Sequence, residues 1–163
     1  MKHIHILTFF LLILVGCSGD EADTSEKIIM PIVPDEAIVT FFDTHLPAFG
    51  RGECCFFADD KIEKYYLINS RKEFEKISAC DNLPEIDFDS YSLIIGQREV
   101  PRFSYGNDLV EQTILESTNL TLNIAIKNAM YQSFNTFRHW GIYPKLSKKK
   151  KLTVNYMIGN EKI

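Results

Sequence analysis

Residues 120–127, LTLNIAIK, alternate large apolar side chains with polar or small ones along their whole length. Successive side chains of a β-strand point to opposite faces of a sheet, so this alternation predicts a strand with one buried face. Residues 152–158, LTVNYMI, repeat the pattern and predict a second strand of the same kind. Residues 109–116 precede the first strand across the polar residues 117–119, which predicts an antiparallel hairpin.

Shorter runs earlier in the chain predict further strands. Residues 54–58 and 62–69 are rich in aromatic and β-branched side chains, and two aspartates and a lysine separate them. This arrangement predicts two strands of a hairpin. Residues 91–96, YSLIIG, are apolar almost throughout and end at glycine, which is typical of a buried strand.

Two helices are predicted from their start signals. Asp35 can cap a helix whose apolar residues recur at helical spacing and which stops before Pro47. Ser70 and Glu73 form a capping-box pattern that begins a second, shorter helix with Phe74 on its apolar side. The chain therefore reads as an α+β fold, a mostly antiparallel sheet with two helices packed on it.

Length and composition bound the class of protein. The chain has 163 residues, of which 45% are hydrophobic and 25% charged, as in a folded protein with one domain. A net charge of −4 offers no electrostatic attraction for nucleic acid, so no nucleic-acid partner is expected.

The first residues predict an export signal that ends in an anchor. Lys2 precedes an apolar run, residues 6–16, of about eleven residues, whereas a helix that crosses a bilayer needs about twenty. The run ends in Leu14-Val15-Gly16-Cys17, which resembles the lipobox of bacterial lipoproteins. The resemblance implies that the Cys17 thiol receives a diacylglycerol and that residues 1–16 are removed. Multiple acyl chains would anchor the protein stably in a membrane.

The residues after Cys17 carry information about location and domain boundaries. Ser18, Gly19, Asp20 and Glu21 resemble the acidic export tag of Bacteroidetes-type surface lipoproteins. This resemblance implies an outer-membrane location, with the cell surface favoured over the periplasmic leaflet. We therefore divide the chain into a signal peptide (1–16), an acidic tether (17–34) and one globular domain (35–163).

Three cysteines remain in the mature chain besides Cys17. An exported protein meets oxidising surroundings, so a disulfide between Cys80 and either Cys54 or Cys55 is expected. Buried free thiols, and a reactive or metal-binding thiol, are the alternatives. The sequence has neither the Cys-x-x-Cys nor the His-x-x-x-His spacing that is typical of zinc sites, and neither a metal nor a cofactor is expected.

An aromatic segment near the C-terminus suggests a ligand surface. Tyr131, Trp140 and Tyr143 are interleaved with polar residues that include Arg138. Aromatic faces beside a guanidinium could contact a sugar ring or a peptide. Packing in the core is the alternative. The lysine run 148–151 reads as a solvated turn, with attraction to an anionic polysaccharide as its alternative.

Catalytic signals are weak. The mature chain contains only His45 and His139 as histidine bases, and neither lies in a recognisable catalytic motif, so we expect no enzyme activity.

Further segments resemble known groups of proteins. Residues 66–74, 83–88, 91–97 and 140–146 resemble a group of uncharacterised Bacteroidetes lipoproteins, and the middle segments are distantly similar to the C-terminal domain of PrcB-type protease-complex proteins. Neither resemblance transfers a catalytic residue. The expected function is a lipid-anchored, non-enzymatic binding or accessory domain with an envelope protein or polysaccharide partner. A protease-inhibitor-like or protease-partner module is the alternative, and an envelope hydrolase is the third reading.

Overall fold

The strands of two separate sheets alternate along the chain, with two helices between them. The computed structural model describes residues 25–48, 54–59, 62–102, 110–126, 132–159 and 161–162. Within this part of the chain lie two helices and eight strands: β1 (Lys27–Ile29), α1 (Glu36–His45), β2 (Lys64–Ile68), α2 (Arg71–Ile77), β3 (Tyr91–Arg102), β4 (Val110–Glu116), β5 (Leu120–Ile126), β6 (Gln132–Pro144), β7 (Leu152–Ile158) and β8 (Glu161–Lys162).

The strands form one sheet of five and one of three. The larger sheet has the order β1-β4-β5-β7-β8, and the smaller has the order β2-β3-β6. All pairs are antiparallel except β5 and β7, which run in parallel with Thr121 opposite Thr153. The predicted α+β class is confirmed, and so are the two alternating strands and the β4–β5 hairpin. The two alternating strands are also direct neighbours.

The first core lies between the two sheets. Alternate residues of β5 and β7, such as Leu122, Ile124 and Tyr156, turn toward the small sheet. Ile94 of β3 and Phe137 of β6 meet them from the other side. All of these side chains are buried, so the two sheets pack as a sandwich.

The second core lies on the opposite face of the small sheet. Leu93 and Ile95 flank Ile94 in β3 and point the other way, toward the helices. There they meet Phe42 of α1 and Phe74 of α2, each with no exposed surface. The small sheet is therefore buried on both faces, which explains the continuous apolar run in β3. The domain has three layers: large sheet, small sheet and helices.

Both helices begin as the sequence predicts. Asp35 caps α1 by accepting a hydrogen bond from the Ile38 backbone N–H at 2.9 Å. The Ser70 hydroxyl accepts from the Glu73 N–H, and the Glu73 carboxylate accepts from the Asn69 N–H at 2.9 Å. These side chains satisfy donors that the first turn leaves without helical partners. Neither helix is long and apolar enough to cross a membrane.

The folded domain begins before Asp35. β1 pairs with β4 in the large sheet, Ile29 is buried, and the Ile32 N–H donates to the Ile142 carbonyl at 2.8 Å. The boundary predicted at Asp35 is therefore wrong. A three-residue strand is too short to show alternation in the sequence, and its partner strand lies more than 80 residues away.

The predicted hairpin of residues 54–58 with 62–69 is also absent. The first run forms a tight turn closed by a bridge between Cys54 and Phe57, and β2 pairs with β3 instead. Phe56 and Phe57 are buried, so the aromatic content that suggested a strand serves the second core.

Candidate functional site

The described residues of the predicted aromatic surface, Arg138, Trp140 and Tyr143, do not form one exposed patch. Trp140 and Tyr143 are three residues apart on β6, so their side chains point to opposite faces of the small sheet. Tyr143 has no exposed surface and lies in the core between the sheets, and Arg138 is fully buried too. Trp140 is half-buried and stacks on Phe42 with ring centroids 4.4 Å apart. Tyr131 lies outside the described residues, as does Cys17.

A cleft nevertheless opens beside Trp140. It has a volume of about 280 Å3 and lies between α1, β4 and the outer edge of β6. Asp43 and Val39 of α1 form one wall, while Val110 and Gln112 of β4 form the other. Trp140, Arg138 and their neighbours on β6 also line the cleft. It thus combines an aromatic surface with a carboxylate and a side-chain amide, a mixture of apolar and polar groups found in ligand sites.

The backbone of β6 is held at both ends of this cleft. At one end the Arg138 N–H donates to the Ala48 carbonyl at 2.8 Å, and at the other the Ile142 carbonyl accepts from Ile32. Between them the Gln112 side-chain amide donates to the Trp140 carbonyl at 2.9 Å. The Gln112 carbonyl oxygen in turn accepts from the Tyr143 hydroxyl at 3.2 Å. Gln112 therefore ties the wall of the cleft to the core, and the cleft is pre-formed.

His139 is buried between the sheets. His139 Nε2 lies 3.1 Å from the Tyr156 hydroxyl, and the ring occupies space left by Gly96 on the neighbouring strand. A Cβ at position 96 would lie 2.7 Å from His139 Cε1, so only glycine fits there. Burial lowers the pKa of His139 to about 3. So weakly basic an imidazole is unsuited to general-base catalysis near neutral pH.

Two of the cysteines, Cys55 and Cys80, lie beside His45. Cys55 and Cys80 form a disulfide with their Cα atoms 5.1 Å apart, and Cys54 is a half-buried free thiol. This is one of the two pairings that the sequence left open. The His45 ring lies beside the disulfide, and His45 also lines a wide groove between α1 and residues 82–84.

The lysine run is partly engaged with the fold. Lys148 pairs with Glu73, and Lys150 pairs with Glu116 at 3.0 Å. The hydrogen bond from Lys148 lowers the pKa of Glu73, helped by the backbone N–H of Asn69. Lys149 and Lys151 are exposed. The segment is thus a turn, as the sequence predicts, and two of its four charges pair with carboxylates of the fold.

The sequence alone did not identify the residues that complete the cleft, nor the glycine that makes room for the buried His139 ring. Asp43, Gln112 and Gly96 come from separate elements and carry no local motif. The sequence did, however, contain a signal that Trp140 and Tyr143 lie on different faces of the sheet. Once residues 132–144 are read as a strand, the spacing from Trp140 to Tyr143 places them on opposite faces.

The fold and the cleft define a three-layer α+β domain with a small, pre-formed cleft at a strand edge and a disulfide beside a histidine. Comparisons with protein-family models, with curated proteins and with solved structures found no match.

Proposed function

We propose that the protein is a lipoprotein anchored through Cys17 in the outer membrane, with its domain exposed at the cell surface and acting as a non-enzymatic binding or accessory module. The lipobox-like residues 14–17 and the acidic residues that follow them support the anchor and the location. The cleft beside Trp140 supports the binding role.

The start of β1 defines how far the domain can stand from the membrane. Residues 18–26 separate Cys17 from Lys27. Fully extended, ten residue steps span at most about 35 Å, and a flexible chain of that length averages about 17 Å. The tether is therefore shorter than the sequence alone suggested, and partners within reach are those of the membrane surface.

The cleft is the single observation that carries the binding proposal. A volume of about 280 Å3 suits one side chain of a protein partner or one sugar ring rather than an extended polymer. Trp140 offers a half-buried aromatic surface, and Asp43 offers an exposed carboxylate at the opening. Because Gln112 already holds the Trp140 carbonyl, a ligand would meet a rigid wall and lose little to reorganisation.

The buried groups favour binding over catalysis. The large pKa shifts belong to His139, Tyr143 and Tyr156, whose buried hydroxyls and ring lie inside the sandwich. Burial raises the pKa of both tyrosines and so keeps them protonated. These shifts follow from the packing of the core, and burial leaves His139, which also borders the cleft, only weakly basic.

Two experiments test the anchor and the cleft separately. Cells given a fatty-acid probe should label the parent chain and not Cys17→Ala, and a protease added to intact cells should remove the labelled domain. Label retained by Cys17→Ala would overturn the anchor, and protection from the protease would place the domain on the periplasmic side.

For the cleft, a photo-crosslinking residue is placed at Asp43 in intact cells, with the same residue at Asp89, an exposed position outside the cleft, as the matched control. A discrete adduct with an envelope protein or polysaccharide is expected from position 43 alone. Equal adducts from both positions, or none from position 43, would contradict the binding role of the cleft.

A further inference from the structure

Three side chains with metal-binding chemistry meet beside α1. His45, Cys55 and Cys80 each offer one ligand atom, and these atoms all lie within 4.8 Å of one another. The residues come from the last turn of α1, from the turn at residues 54–57 and from the segment after α2. All three side chains are half-buried and so remain within reach of solvent. A disulfide whose only role is to cross-link two segments does not require an imidazole beside it.

The backbone holds the two sulfur-bearing segments together without the disulfide. The Ala79 N–H donates to the Cys55 carbonyl at 2.7 Å and so links the two segments. The Cys80 N–H donates to the Ser78 hydroxyl at 3.0 Å, which fixes the backbone within the second segment. Phe56, next to Cys55, is buried and stacks on Phe74 with ring centroids 6.0 Å apart. The two sulfurs would therefore stay close together after reduction.

The histidine is equally well placed. α1 is fixed in the second core by Phe42 and Leu46, which are almost fully buried. The His45 ring packs on Phe41 with centroids 4.7 Å apart, which limits its rotation. Its position in the last turn lies near the negative end of the helix dipole, where a cation is stabilised.

We propose that these residues form a redox-controlled site for Zn2+: the Cys55–Cys80 disulfide closes the site, and reduction opens it to the metal. A dithiol reductant transfers two electrons and two protons to the disulfide, whose S–S bond breaks to give two thiols while the reductant becomes a disulfide. Zn2+ then displaces the two thiol protons to solvent, and the neutral His45 imidazole donates its lone pair.

The geometry and charge suit that metal. Zinc–sulfur bonds of about 2.3 Å in a tetrahedral site place two sulfurs about 3.8 Å apart. The Cα separation of 5.1 Å between Cys55 and Cys80 admits this by side-chain rotation. Two thiolates balance the charge of Zn2+, so the half-buried site holds no net charge. Among the described residues the group contains three ligands, which leaves one position for water or an incoming ligand.

The test uses the full chain with Cys17→Ser in every sample, so that this thiol does not contribute. The disulfide is reduced with a water-soluble phosphine, which takes up oxygen from water, and the reagent is removed without air. Co2+ is then titrated as a spectroscopic probe. We expect one equivalent to bind with thiolate-to-cobalt absorption, Zn2+ to displace it, and the oxidised chain to show neither.

Variants assign the ligands. His45→Ala should weaken Co2+ binding by about tenfold or more. Cys80→Ser should remove the absorption that is typical of cobalt bound by two thiolates. Cys54→Ser, the matched control, should bind Co2+ as the parent does. Emission from Trp140, the one tryptophan, reports folding. Binding that survives His45→Ala unchanged would overturn the site. So would loss of binding in Cys54→Ser, a folded reduced chain that binds no Co2+, or unfolding on reduction, since the backbone scaffold is required to persist.

Discussion

Removing the Cys55–Cys80 disulfide should lower the stability of the domain by an amount set by the loop that it closes. The two cysteines are 25 residues apart. In the chain-entropy description, a cross-link over 25 residues removes about 12 cal/mol/K from the unfolded chain, or about 3.5 kcal/mol at 25 °C. Since a domain has a total stability of about 5–15 kcal/mol, this is a large share.

The assay is equilibrium urea unfolding of the parent and of the double variant Cys55→Ala/Cys80→Ala, followed by Trp140 emission. The matched control is Cys54→Ala, which removes a half-buried thiol from the same turn and closes no loop. We expect the double variant to lose about 3.5 kcal/mol and the control about 1 kcal/mol or less. A double variant within about 1 kcal/mol of the parent, or a control that loses as much as the double variant, would refute the reasoning.

Three further predictions concern the two cores. Gly96→Ala should cost about 1–3 kcal/mol, because its Cβ would collide with the His139 ring, and the cost measured by urea unfolding should fall in a His139→Ala background. Burial lowers the pKa of His139 to about 3 in the folded chain, whereas the unfolded chain keeps a value of about 6.5, so below pH 6.5 the unfolded chain binds one more proton than the folded chain. The free energy of unfolding should therefore decline by about 1.4 kcal/mol per pH unit until the pH nears 3. His139→Gln should flatten that slope, and an unchanged slope would exclude His139 as its source. Phe42→Ala should cost about 3–5 kcal/mol in thermal or urea unfolding and Phe41→Ala clearly less, because Phe42 has no exposed surface whereas Phe41 is half-buried; similar losses would argue against the second core as described.

The sequence predicted the elements whose signals are local. Asp35 and Ser70 mark helix starts through hydrogen bonds to residues three positions along the chain, and the alternation in β5 appears within seven residues. What could not be predicted depends on pairing between distant segments. β1 is positioned by its pairing with β4. The run after Cys54 folds as a turn that buries Phe56 against the helices.

The candidate sites show the same division. Cys80 could be paired with the Cys54–Cys55 dipeptide from the sequence, but the choice of Cys55 depends on how a four-residue turn presents each sulfur. The cleft depends on Asp43 and Gln112, which meet beside β6 only when α1 and β4 have both been placed. Neither residue stands in a local pattern that marks it.

The parallel pairing of β5 with β7 sets the order in which the chain can complete its fold. After β5 the chain leaves the large sheet, forms β6 in the small one, and returns as β7 to the edge of β5. The core between the sheets lacks Val154, Tyr156 and Ile158 until that return is made. A nascent chain that has emerged only to Pro144 therefore exposes the apolar face of β5 and a free strand edge. Such a chain stays incompletely folded until β7 is available to pair with β5 and to complete the core between the sheets.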